Sequence, residues 1–149
     1  MKTYATCVTG KAAYVFTPEY QDTPIAEIEF KTEIIYVIIN GSLMNLKYKC
    51  NFIGTSLIIN DSENANEYKL NCSGLFYRKS NFSSKSGELI SVRTPFFGLS
   101  ISGVGKEKHS LIGHMQMKTT WFYKSEVELS SFDLLGIMLI HWRWYNKTS

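Results

Sequence analysis

The chain has few of the residues that mark secreted, disulfide-bonded or zinc-binding proteins. Its 149 residues include three cysteines, Cys7, Cys50 and Cys72, which form no Cys-x-x-Cys pair and predict neither a disulfide framework nor a zinc site. The first residues contain no long apolar core, so no signal peptide is expected. The cysteines are expected to be buried thiols in strands, in a protein of the reducing cytoplasm.

Complete catalytic and nucleotide-binding motifs are also missing. The turn Gly103-Val104-Gly105-Lys106 is not a phosphate-binding loop, because Ser100 stands where the first glycine is required and Glu107 replaces the hydroxyl residue after the lysine. There is no Gly-x-Ser-x-Gly elbow. The sequence therefore predicts no catalytic residue and no cofactor.

The three histidines are not spaced as metal ligands on one face. His109 follows a charged segment and is expected to be a solvated turn residue. His114 alternates with other polar side chains, which indicates the polar face of a strand. His141 lies in an apolar segment, where it is expected to be a core histidine with a hydrogen-bond partner.

The segment Ser131–Tyr145 is the clearest helix. It is apolar on all sides from Leu134 to Ile140, so it must be buried. This run is far shorter than the roughly 20 residues of a membrane span, which favours a central core helix over a tail anchor. Either Ser130 or Ser131 is expected to be the N-cap.

The rest of the chain predicts about twelve short strands, because period-two alternation and turn residues recur at intervals of roughly ten residues. Ile34–Ile39 does not alternate and is expected to be covered on both faces. Ser80–Gly87 is expected to be a loop. The predicted strands are Tyr4–Val8, Ala13–Thr17, Ala26–Phe30, Ile34–Ile39, Leu43–Cys50, Ser56–Ile59, Glu67–Cys72, Leu75–Lys79, Glu88–Thr94, Leu99–Ser102, Leu111–Lys118 and Trp121–Leu129.

Strands and helix together predict one mainly β domain over residues 1–149. A dozen antiparallel strands can close into a barrel, which removes their unpaired edges. A barrel of that size has an interior that must be filled. A helix of roughly 15 residues is about 22 Å long, close to the height of such a barrel. The predicted fold is an antiparallel β-barrel that encloses the hydrophobic C-terminal helix.

The order of elements resembles that of a known group of proteins. Many short strands, a late strand with Ile112-Gly113-His114, a final strand with Trp121 and a closing helix are similar to the tubby C-terminal-like superfamily. That group includes tubby, phospholipid scramblase and LURP-one-related proteins. The resemblance covers most of the chain and implies a twelve-stranded barrel threaded by the helix. It also implies phosphoinositide binding outside the barrel, as in tubby, although no basic motif of tubby can be matched here residue by residue.

The leading functional hypothesis is a non-enzymatic domain that binds anionic lipid at the membrane surface. The net charge of +3 permits contact with acidic headgroups or nucleic acid without arguing for either, and no nucleic-acid partner is expected. If Arg78, Lys79 and Lys85 meet on one rim they can hold an anionic headgroup; otherwise they are part of a dispersed, solvated surface.

Two alternatives remain open from the sequence. One is a lipocalin-like barrel that binds a small apolar ligand, which requires an open interior. The other is an enzyme that uses His114 or His141, which requires one of these rings to face a cleft.

Overall fold

The computed structural model describes residues 1–19, 22–50, 56–73, 78–94 and 98–148. These residues form twelve antiparallel strands and one C-terminal helix, so the predicted fold class is confirmed. The elements are β1 Lys2–Thr9, β2 Ala12–Phe16, β3 Ala26–Phe30, β4 Ile34–Ile39, β5 Ser42–Cys50, β6 Ser56–Asp61, β7 Asn66–Ser73, β8 Lys79–Ser84, β9 Leu89–Arg93, β10 Ser100–Val104, β11 Ser110–Met117, β12 Thr120–Ser125 and α1 Ser131–Thr148.

The strands form a closed barrel in which each strand pairs with the next one along the chain. β1 also pairs with β12, with Tyr4 opposite Tyr123, and this pairing closes the sheet. Because successive strands run in opposite directions, the connections β1–β2, β3–β4, β5–β6, β7–β8, β9–β10 and β11–β12 all lie at one end of the barrel. The other connections and the link to α1 lie at the opposite end. The helix therefore enters at one end and finishes at the other.

Helix α1 fills the interior of the barrel. Strands about 4.8 Å apart and tilted by about 40° give a twelve-stranded barrel a diameter of about 24 Å. A helix with its side chains is about 10–12 Å across, so it fits inside with room for the inward side chains of the wall. The side chains of Leu134, Leu135, Ile137, Met138, Leu139 and Ile140 are each at most 2% exposed, as predicted. No helix of the described residues is long and apolar enough to cross a membrane.

The helix begins at Ser131, and Ser130 is its N-cap. The Ser130 Oγ accepts a hydrogen bond from the Asp133 amide at 3.1 Å, and the Ser130 carbonyl accepts one from the Leu134 amide at 2.9 Å. Ser131 is exposed. These contacts select Ser130 from the two serines that the sequence left open.

Gly136 allows the helix to approach the wall formed by β8 and β9. A β-carbon added to Gly136 would lie 2.5 Å from Ile90 Cγ2 and 3.0 Å from Phe82 Cδ2. Glycine is unfavourable inside a helix by about 1 kcal/mol relative to alanine. Close packing against the wall therefore explains why glycine occupies this position.

Three details of the strand prediction are wrong. Ser80–Gly87 is not a loop, because β8 occupies Lys79–Ser84 and directs Phe82 into the core. Ile34–Ile39 is not covered on both faces, since Tyr36 is 41% exposed on the outer wall. The last strand ends at Ser125, where the Ser125 hydroxyl bonds to the backbone of Val127 and turns the chain toward the helix. Of the predicted strand Leu75–Lys79, residues 75–77 lie outside the described residues.

Candidate functional site

Charged side chains are segregated between the two ends of the barrel. We call the end where the helix finishes the basic end. We count the described side chains that lie in the connections of this end, within one residue of a strand terminus, or in the first or last turns of the helix. By this criterion the basic end holds eight cationic side chains and two carboxylates. The cations are Lys11, Lys31, Lys49, Arg78, Lys79, Arg93, Lys118 and Arg143, and the carboxylates are Glu29 and Glu33.

The end where the helix begins has the opposite balance, and we call it the acidic end. By the same criterion it holds eleven carboxylates and five lysines among the described side chains. The carboxylates are Glu19, Asp22, Glu27, Asp61, Glu63, Glu67, Glu88, Glu107, Glu126, Glu128 and Asp133, and the lysines are Lys2, Lys85, Lys106, Lys108 and Lys124. The mild net charge of the chain therefore conceals two strongly charged surfaces of opposite sign.

The structure does not bring the three predicted lipid-binding residues together. Arg78 and Lys79 lie at the basic end, where β8 begins. Lys85 follows the other end of β8 and lies at the acidic end, where its amide donates to the Glu67 carbonyl at 3.0 Å. Lys85 follows Lys79 by six residue steps, a span of about 20 Å along the strand. Lys85 is therefore not part of the candidate site.

Arg93 replaces Lys85 as the third cation beside Arg78 and Lys79. Lys79 and Arg93 are directly opposite each other across β8 and β9, and both are exposed on the outer wall. The Arg78 carbonyl accepts a hydrogen bond from the Thr94 amide at 2.8 Å, which holds Arg78 beside the end of β9. Sequence reasoning missed Arg93, because a predicted strand that ends at Lys79 and a loop over Ser80–Gly87 place Arg93 at the opposite end from Arg78.

Hydroxyl groups flank this pair of cations along the same row of the barrel wall. Ser73 is opposite Lys79 on β7, and Ser102 is opposite Arg93 on β10. All four residues are exposed. The Ser73 hydroxyl donates to the Lys79 carbonyl at 3.5 Å. The row therefore presents two cations and the Ser102 hydroxyl, a combination suited to the oxygen atoms of an anion.

A further cation, Arg143, is buried inside the basic end and is 8% exposed. Within the described residues, no carboxylate lies within ion-pair distance of its guanidinium. Its positive charge faces Cys72, whose thiol accepts a hydrogen bond from the Ser80 hydroxyl at 3.4 Å. Burial raises the pKa of the Cys72 thiol, and the Ser80 bond and Arg143 oppose that shift.

Cys72 is buried as predicted, but Cys50 is exposed, so the expectation of three buried thiols is wrong.

His109 is buried rather than solvated, which corrects the prediction from the sequence. It is 8% exposed, and its Nε2 lies 3.5 Å from Oδ2 of Asp133, in the first turn of the helix. The other Asp133 oxygen accepts from the Lys106 amide at 2.8 Å. A β-carbon on Gly105 would lie 2.3 Å from His109 Nε2, so glycine makes room for the ring. These contacts fasten the β10–β11 turn to the start of the helix.

The other two histidines lie where the sequence predicts. His141 is 0% exposed, its Nε2 is 2.8 Å from the Lys118 carbonyl oxygen, and its ring stacks on Trp121 with centroids 3.8 Å apart. A substrate cannot reach a ring so enclosed. His114 is exposed on the outer wall beside Phe122. Among the described residues, His141 is therefore enclosed by the core and His114 lies open on the outer wall, which disfavours the alternative of a histidine enzyme.

The interior of the barrel also tests the alternative of a lipocalin-like binding protein. Buried side chains of the helix and of the surrounding strands form one continuous core. A lipocalin-like protein needs an open interior, and α1 occupies that space.

No protein-family model matches the chain, and neither does any curated protein or any solved structure at the significance required, so the resemblance to the tubby C-terminal-like superfamily stays a prediction.

Proposed function

We propose that this protein is a non-enzymatic domain that binds anionic lipid headgroups at a membrane surface through its basic end. The observation that carries the proposal is the segregation of charge between the two ends of the barrel. A cytoplasmic protein of this kind would be peripheral at the membrane, since the anionic leaflet faces the cytoplasm.

The opposed charges of the two ends would orient the molecule as it approaches the membrane. An anionic surface attracts the basic end and repels the acidic end, so one orientation is favoured before contact. Each lysine or arginine near such a surface contributes about 1 kcal/mol. Arg78, Lys79 and Arg93 together would contribute about 3 kcal/mol, or about 100-fold in affinity. Lys31 is expected to contribute less, because it forms an ion pair with Glu29.

The Lys79–Arg93 pair supports the same proposal on grounds of stability. Like charges directly opposite each other on neighbouring strands are destabilising. An anion bound between them relieves this repulsion and also gains hydrogen bonds from the arginine fork. Without a bound anion, nothing in the described part of the barrel would compensate for the repulsion between these two paired cations.

Vesicle sedimentation tests the proposal. Vesicles of phosphatidylcholine alone are compared with vesicles that also contain phosphatidylserine or a phosphoinositide. The protein should sediment only with the anionic vesicles, and binding should weaken as salt screens the charges. The triple variant Arg78→Gln, Lys79→Gln, Arg93→Gln should lose about 100-fold in affinity.

The matched control removes three positive charges from the acidic end. The variant Lys2→Gln, Lys85→Gln, Lys124→Gln has the same net charge as the first and should bind within a few-fold of the wild type. Equal losses in the two variants would refute a role for the basic end in particular. Binding no better than to neutral vesicles would refute the proposal, as would tighter binding to single-stranded RNA than to anionic vesicles.

A further inference from the structure

A cavity of about 450 Å³ opens at the acidic end, on the far side of the molecule from the proposed membrane site. It lies between the start of β1, the β2–β3 connection and the beginning of the helix. Its apolar lining includes the exposed Pro18 and the half-buried Ile25, together with the buried Leu129 and Leu134, and Glu19 and Glu128 also line it. The site therefore combines an apolar surface with negative charge.

Tyr4 also lines the cavity, and the pKa of its hydroxyl group indicates the sign of the electrostatic field there. This hydroxyl accepts a hydrogen bond from the Leu129 amide at 2.9 Å. Its pKa is raised, chiefly by burial, and also by the negative charges of Glu128, Asp133 and Glu19, while the bond from Leu129 opposes the shift. Three carboxylates thus act on one buried hydroxyl.

Positive charges near the cavity are fewer. Lys2 and Met1 line the cavity and are exposed, and both the Lys2 side chain and the Met1 amino group are cationic. The amino end of the helix contributes a partial positive charge, but Asp133 lies in the first turn and offsets it. Eleven carboxylates surround five lysines at this end of the barrel, so the field over the opening is negative.

We infer that this cavity binds a lysine or arginine side chain from a basic segment of a partner protein. Such a side chain has an aliphatic stem and a cationic head, and it gains most where the stem packs on apolar surface while the head stays near carboxylates and water. Pro18 and Ile25 suit the stem, and Glu19 and Glu128 suit the head. The site is independent of the lipid site, since it uses the opposite end of the barrel and the opposite charge.

The probe for this site is an acetylated, amidated hexalysine peptide. Titration of the ¹⁵N-labelled protein at low salt should shift the amide resonances of Leu129 and of the β2–β3 connection. The variant Glu19→Gln, Glu128→Gln should weaken binding about tenfold, as expected from the loss of two partly screened charge interactions. Ile25→Val should weaken it about fourfold, the effect of one buried methylene group.

The matched control carries Glu63→Gln and Glu107→Gln, which remove the same charge from the same end but do not line the cavity. It should bind the peptide within about twofold of the wild type. An equal loss in both double variants would show that only the general field attracts the peptide, and would overturn the inference. Unchanged affinity in Glu19→Gln, Glu128→Gln would overturn it as well.

Sedimentation velocity of the protein alone tests the other possible occupant, a second copy of this chain docked by its basic end. Self-association that the cavity variant abolishes would assign the cavity to that copy and overturn the assignment to a peptide. A monomer that binds hexalysine supports the inference. Vesicle binding should be the same in the cavity variant and the wild type, so failure of one proposal does not imply failure of the other.

Discussion

Acidification should destabilise this fold through His141. The ring is fully buried and stacks on Trp121. Its Nε2 is 2.8 Å from the Lys118 carbonyl oxygen, which can only accept a hydrogen bond, so Nε2 carries the proton and donates. Burial lowers the pKa of His141 from 6.5 to about 3, and the bond to Lys118 only partly opposes this effect. The folded protein thus keeps a neutral imidazole at pH values where the unfolded chain is protonated.

The size and sign of the effect follow from the two pKa values. Between pH 6.5 and about 3 the unfolded chain binds one proton more than the folded protein. The contribution of neutral His141 to the free energy of unfolding is therefore fully present above pH 6.5 and is lost as the pH falls toward 3. At about pH 5 the loss is about 2 kcal/mol, from roughly 1.5 pH units at 1.36 kcal/mol per unit. This figure hardly depends on the folded pKa, provided that it lies below about 4.

Urea unfolding at about pH 7.5, 6 and 5, followed by tryptophan fluorescence and circular dichroism, measures this loss. The variant His141→Gln is expected to be less stable at pH 7.5, because it loses the stacked ring, but to have a flatter pH dependence by about 2 kcal/mol. The control His114→Gln changes an exposed histidine and should keep the wild-type pH dependence. Parallel pH dependences in His141→Gln and the wild type would refute the reasoning, because they would show that His141 does not account for the acid sensitivity.

Two further predictions concern the helix, and both can be measured by urea unfolding at neutral pH. Gly136→Ala should lower stability by up to about 2 kcal/mol although alanine favours helices, because overpacking costs about 1–3 kcal/mol and the gain in propensity is about 1 kcal/mol. Adding Ile90→Leu, which removes the methyl group that the new β-carbon meets, should recover part of the loss. A stabilised Gly136→Ala would contradict the packing argument. Ser130→Ala should lower the free energy of unfolding by about 1 kcal/mol, because it removes the acceptor for the Asp133 amide. The control Ser131→Ala should stay within about 0.5 kcal/mol of the wild type. The reverse order would mean that the N-cap is misassigned.

The predictions that the structure confirms depend on local patterns. A segment that is apolar on every side has to be buried wherever it lies, so Leu134–Ile140 could be placed in the core without knowing its neighbours. Alternating segments such as Ala26–Phe30 identify their own inward face, and their burial alternates as expected. A dozen such strands then require closure around a filling element. For these reasons the fold class and the position of the helix could be predicted from the sequence.

The errors begin where tertiary context overrides local preference. Serine and asparagine disfavour strands, so Ser80–Gly87 was expected to be a loop. In the barrel, Phe82 packs into the core, and Asn81 accepts a hydrogen bond from the Ser91 hydroxyl at 2.6 Å on the outer wall. Placing β8 too early along the chain also put Lys85 on the same rim as Arg78 and Lys79. The true position of the strand moves Lys85 to the opposite end.

The remaining surprises join residues that are distant in sequence. His109 is buried because the first turn of the helix brings Asp133 to it. Arg93 becomes a neighbour of Lys79 only through the register of β8 and β9. Neither relationship follows from composition or periodicity. Once strand order is known, however, the ends can be assigned, since alternate connections of an up-and-down barrel share an end.

The charge segregation exceeds what the helix itself requires. Aligned peptide dipoles favour an acidic residue at the start of a helix and a basic residue at its end; Asp133 lies in the first turn, and Arg143 lies one turn before the last. That effect is limited to the first and last turns, whereas the excess of positive charge continues around the rim to Lys11, Arg93 and Lys118, in three separate connections or strand ends. Gathering like charges at one end is unfavourable for the folded protein alone. An external anion that covered this end would compensate for the repulsion, which is the physical reason for our proposal that this end faces the membrane.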